Sequence, residues 1–91
     1  PRFSDAETHA QALLKEFPTD RELWLDLAFA QRGLQKHAEA RESYEAAIKH
    51  DPQKQGPYQE YAEYLYNELK QKDDAKAVLD RLVAALPKHP E

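Results

Sequence analysis

The side chains able to do chemistry are the histidines His9, His37, His50 and His89, the serines Ser4 and Ser43, and 17 aspartates and glutamates. A helix that binds a metal needs two imidazoles one turn apart, as in His-Glu-x-x-His. No two of these histidines have that spacing and each falls in a different segment, so they read as solvated. Glu39, Glu42 and Glu45, and the pair Asp73 and Asp74, read as solvated helix faces and caps rather than as an acid–base pair. Neither serine stands in the Gly-x-Ser-x-Gly turn that activates a hydroxyl. No glycine-rich run is present to cradle a phosphate. The absence of Cys excludes disulfides, thiolate metal sites and thiol nucleophiles. The chain is therefore expected to be non-enzymatic, with no catalytic residues, no metal and no cofactor.

What is left is recognition, and composition narrows its kind. A chain of 91 residues allows one small domain. A chain of this size buries about 60–65% of the surface its unfolded form exposes. A net charge of −4 disfavours nucleic acid or an anionic membrane as the main partner. No apolar run approaches the roughly 20 residues that span a bilayer. Pro1-Arg2-Phe3-Ser4 is not a signal peptide, and the sequence has no Met. It is expected to have been excised or processed out of a longer protein. Whether it works in the cytoplasm or the periplasm is left open by the sequence.

The elements that position any binding residues are helical. Ala, Glu, Lys, Gln and Leu dominate, and no alternating strand pattern or Asn-Gly turn occurs. Ser4 with Glu7 reads as a capping box opening a first helix whose apolar positions are Ala6, Ala10, Leu13, Leu14 and Phe17, with Pro18 as its stop. Thr19 with Glu22 reads as a second box. The helix after it, about Arg21 to Leu34, carries Leu23, Trp24, Leu27, Ala28, Ala30 and Leu34, with Gly33 near its C-terminal cap. A third helix, about Ala38 to His50, carries Ala40, Tyr44, Ala47 and Ile48 before Asp51-Pro52. After a linker, Gln53 to Gly56, Pro57 fits the first turn of a fourth helix with Tyr58, Tyr61, Ala62, Tyr64, Leu65 and Leu69. Asp73 reads as the N-cap of a fifth, about Asp74 to Leu86, closed by Pro87 and a short tail.

These helices repeat. Pro18 and Pro52, Ala6 and Ala40, Ala10 and Tyr44, Leu13 and Ala47, Trp24 and Tyr58, Leu27 and Tyr61, and Ala28 and Ala62 are all 34 residues apart. Ala40 and Ala75, Tyr44 and Leu79, Ala47 and Leu82, and Pro52 and Pro87 are 35 apart, so one extra residue is expected in the turn near Asn67 to Asp73. Small residues at Ala28, Ala40, Ala62 and Ala75 allow close helix approach. Trp24, Tyr44, Tyr58 and Leu79 are expected to fill the space between repeats. The pattern resembles the tetratricopeptide repeat family from about Ser4 to Pro87. The resemblance implies an all-α, right-handed superhelical α-solenoid of antiparallel helix pairs. Residues 4–18 would be the second helix of a partial repeat, 21–54 a full repeat, and 55–87 a full repeat with the insertion. Gln31 and Leu65 stand where the family usually has Tyr, so that inter-helix contact must be rebuilt. Stacked repeats bury their cores against neighbours, so both ends are expected to expose apolar surface and to favour self-association.

In this family ligands lie in a concave groove lined by the first helix of each repeat. That implies a partner-binding groove of Glu22, Leu25, Asp26, Phe29 and Arg32, continued by Gln59, Glu60, Glu63, Tyr66 and Asn67. Helical spacing separately sets Leu25, Phe29 and Arg32 off the core stripe of Trp24, Leu27 and Ala28. Leu25 and Phe29 read equally as a binding patch or as packing on a neighbouring helix. Family members that grip chaperone carboxylate tails use Lys, Asn and Arg in the groove, whereas this chain has Leu25, Phe29, Glu60 and Glu63. An acidic groove with apolar spots suits instead a protein or peptide of basic and apolar character. The alternatives are a structural spacer of a longer solenoid and a periplasmic module of a polysaccharide-export or secretion machine.

Overall fold

The helices follow the punctuation of the sequence, with shifts of one or two residues at their ends. A computed structural model describes residues 2–86. It contains α1 (Phe3–Glu16), α2 (Arg21–Gly33), α3 (His37–His50), α4 (Gln55–Asn67) and α5 (Lys72–Ala85), with no strand among the described residues. They fall into two units, residues 1–51 with α1 to α3 and residues 52–91 with α4 and α5. In the first, α2 packs against both α1 and α3, and in the second α4 packs against α5. The tail from Pro87 onward lies outside the described residues.

Three expected caps are corrected. Asp20, not Thr19, is the N-cap of α2: its carboxylate accepts the Glu22 and Leu23 amides at 2.9 and 3.3 Å. Ser4 lies inside the first turn of α1 rather than capping it, and its carbonyl accepts the Thr8 hydroxyl. Glu7 does not close a box there; its carboxylate receives Lys36 Nζ at 2.9 and 3.1 Å, which ties the α2–α3 turn to α1. Asp73 is not the N-cap of α5, because Lys72 is already helical; Asp73 and Asp74 stand in the first turn, where the helix dipole favours anions. Phe17 and Leu86 both precede a proline, which disfavours helical backbone, and both lie just beyond a helix end.

The turns that reverse the chain use no glycine. Gln35 takes the left-handed conformation at φ 60°, with Lys36 N–H bonded to Gln31 C=O at 2.9 Å and Gln35 N–H to Arg32 C=O at 3.0 Å. Lys70, at φ 57°, does the same after α4, but there Gln71 N–H reaches back to Leu65 C=O at 2.8 Å. Gln31 and Leu65 are 34 residues apart, and Gln35 and Lys70 are 35 apart. The added residue therefore falls between Leu65 and Lys70, inside a wider turn. Gly33 serves close approach rather than the cap: the Phe3 ring lies where a Cβ would be.

Ala28, Ala40, Ala47 and Tyr44 are fully buried in the α2–α3 hairpin. At the position lacking the family's usual Tyr, Ser43 Oγ donates to Gln31 Oε1 at 2.6 Å in full burial. The spacing-equivalent pair of the second unit, Leu65 and Val78, is buried and wholly apolar. At the far end of the hairpin Trp24 Nε1 donates to Pro18 C=O at 2.8 Å, and the indole stacks on His50 at 6.3 Å. His50 is thus half-buried packing rather than a solvated side chain. Arg21 bridges from the start of α2 to Asp51 after α3, at 2.7 Å.

The Gln31–Ser43 bond sets a measurable expectation. Ser43→Ala leaves a buried amide oxygen without a donor and lowers stability by about 1–3 kcal/mol. The double change Gln31→Leu with Ser43→Val, which copies the second unit's pair, recovers most of that loss. Urea midpoints followed by Trp24 fluorescence check both.

Candidate functional site

Each unit carries one cleft that gathers residues of the expected groove. In the second unit, α4 supplies Gln59, Ala62, Glu63, Tyr66 and Asn67 and α5 supplies Ala75 and Leu79, around a cleft of about 490 Å³. The α4 residues recur every three or four positions and so share one helix face. Four of the five expected groove residues of this unit are brought together here. Glu60, the fifth, does not line the cleft.

The α5 wall escaped the sequence reading. Leu79 is 42% exposed and forms part of the cleft, instead of filling space between repeats as expected, whereas Tyr44 at the equivalent position of the first unit is fully buried. Tyr66 beside it is 54% exposed. Val83, one turn along α5, is more exposed still. The 35-residue spacing marked Leu79 as a packing residue, and nothing in a spacing says whether its partner is present.

In the first unit a smaller cleft of about 270 Å³ lies between α1 and α2, lined by Ala6, His9, Ala10, Leu13, Leu23, Asp26 and Phe29. Its α1 wall was also not foreseen as a binding surface. Phe29 is 55% exposed, meets the Phe3 ring edge-on at 5.8 Å, and has the Arg32 guanidinium 5.9 Å above it. Arg32 also donates to the Tyr44 hydroxyl at 3.0 Å. Glu22 is exposed and paired with Arg21 at 2.7 Å. Leu25 is corrected as a groove residue: it is only 8% exposed, so of its two readings the structure gives packing.

The acids of α2 differ in their surroundings. Asp20 is engaged as a cap and Glu22 by Arg21. The Asp26 carboxylate makes no hydrogen bond or ion pair among the described residues. Its pKa is raised, first because burial withdraws water from it and second because Glu22 and Asp20 are close. Among the described residues no group of three or more His, Asp or Glu side chains is arranged to hold a metal ion. No described helix is long and apolar enough to cross a membrane.

A family model described as tetratricopeptide repeat matches residues 2–59 and again residues 32–91. No curated protein and no solved structure matches the chain.

The environment of Asp26 has a consequence for stability. A carboxyl whose pKa is higher in the folded chain holds its proton more tightly there. Its favourable contribution is present at acid pH and is lost as the pH rises through the folded-state value. Asp26→Asn is therefore expected to raise the urea midpoint at about pH 7 and to leave it nearly unchanged at about pH 3, below the ordinary carboxylate range.

Proposed function

The chain belongs to the tetratricopeptide repeat family, and from that premise we propose that it is a non-enzymatic scaffold holding a peptide or a partner's helix in the α4–α5 cleft. Repeats of this family are in general protein–protein interaction modules. Residues 21–54 and 55–87 are its two full repeats in this reading, preceded by the second helix of a partial one. The observation that carries the proposal is the coincidence of two independent lines. The residues that the family pattern assigns to a groove, Gln59, Glu63, Tyr66 and Asn67, line the larger cleft, and two large apolar side chains stand open in it. Aromatic anchors in such clefts dominate interface energies. The mechanism is surface complementarity on a rigid helical support, with no bond made or broken.

The exposure of Leu79 and Val83 on α5 supports a second reading, in which that face joins copies of the chain or neighbouring repeats. Leu25→Ala is unsuited to separating the two, because truncating a buried Leu destabilises the chain by about 2–5 kcal/mol.

Tyr66→Ala with Leu79→Ala is the discriminating variant. If the cleft binds a partner, affinity for a protein captured by the wild-type chain falls by about thirtyfold, while the helical circular dichroism and the sedimentation of the free chain are unchanged. Capture equal to wild type sinks the groove reading. A wild-type chain whose sedimentation rises with concentration, and whose Leu79→Glu/Val83→Glu variant stays monomeric, supports self-association.

A further inference from the structure

The first-unit cleft has a character of its own: apolar walls beside an exposed charge that has no partner. Ala10, Leu13, Leu23 and Phe29 supply the walls and Asp26 the charge. We propose that this cleft is a docking subsite for one lysine or arginine of a partner peptide, whose aliphatic stem lies along Ala10, Leu13 and Phe29 and whose cationic head pairs with Asp26. The assignment rests on the protein-binding reading above and adds the chemistry of what is bound.

Three observations single out that occupant. The first is the asymmetry among neighbouring acids: Asp20 caps α2, Glu22 is bridged to Arg21, and Asp26 is left unpaired. Arg32, over the Phe29 ring, has its guanidinium engaged with the Tyr44 hydroxyl. His9 shares the cleft but makes no ion pair with Asp26.

The second is electrostatic direction. Desolvation and the nearby charges of Glu22 and Asp20 make the ionised Asp26 carboxylate less favourable than it is in water. An incoming cation relieves that cost, an anion adds to it, and a purely apolar group removes the remaining water without supplying a partner.

The third is size and lining. At about 270 Å³ the cleft lies just below the usual small-molecule range of about 300–1,000 Å³, which suits one side chain rather than a whole ligand. Lysine and arginine combine an apolar stem with a charged end in that order along their length. The protein's net charge of −4 adds a general attraction for basic partners.

The test uses two peptides of one shape on the whole 91-residue chain, followed by amide chemical shifts. One is acetyl-Gln-Ala-Leu-Lys-Ala-Leu-Gln-amide, and the other has norleucine in place of lysine. The expected result is shifts centred on Ala10, Leu13, Asp26 and Phe29, with the lysine peptide binding about fivefold more tightly. Asp26→Asn, checked for an unchanged circular dichroism spectrum, removes that advantage, so that the two peptides bind the variant equally. Equal affinities for the two peptides overturn the proposal, as does an absence of shifts at these residues. Shifts confined to Gln59, Tyr66 and Leu79 overturn it too, while leaving the second-unit groove standing as the binding site. Shifts at the first cleft that grow with protein concentration alone assign it to a second copy of the chain and overturn the cationic assignment.

Discussion

The close approach of α2 to α3 is what the first unit depends on, and methyl-sized side chains set it. Ala28 and Ala40 are fully buried, and a larger side chain at either would push the helices apart and strain a densely packed interior. With that distance fixed, Tyr44 is enclosed, the Gln31 amide reaches Ser43, and Arg21 at the start of α2 meets Asp51 just past α3 at the open end of the hairpin. The Lys36–Glu7 contact then holds α1 against the turn of the same hairpin. The ring of Phe3 settles over Gly33, where only the absence of a side chain leaves room.

This construction divides α2 by face. Leu27, Ala28 and Gln31 hold the unit together, and Leu25, one step from the expected stripe, is buried as well. Asp26 and Phe29 are left at the surface of a cleft whose other wall is α1. A helix with neighbours on both sides has little perimeter to spare, so its exposed positions are few and their chemistry is concentrated. The second unit, with two helices instead of three, covers less of itself. Leu79 and Tyr66 are accordingly open where Tyr44 of the first unit is enclosed.

The helices, their order and the repeat were legible because they rest on periodicity, proline stops and small-residue spacing, all of which are local in sequence. Cap assignments failed where two candidates stood side by side: Thr19 and Asp20 both fit an N-cap, and the carboxylate took the amides. Ser4 and Glu7 match a cap motif in sequence, but Glu7 found a cation 29 residues away that no local motif records. Leu25 shows the complementary failure, since an offset from the core stripe does not reveal what lies beside the helix. Four of the ten expected groove residues met in the second cleft because they sit on one helix face. The α5 wall and the α1 wall were missed because a cleft is a property of two helices, and the sequence pattern was read one helix at a time.

The hydrogen bond between Gln31 and Ser43 also distinguishes the two copies from each other while the chain is folding. Helical hairpins built on one repeat pattern in one polypeptide invite exchange, with a helix of one copy folding onto the complementary helix of the other. Here such an exchange would face Gln31 with Val78, and Leu65 with Ser43. It would strand an amide or a hydroxyl in a dry interface at a cost of about 1–3 kcal/mol each. One copy is closed by a polar pair and the other by an apolar pair, so each helix carries a mark that only its own neighbour in sequence matches.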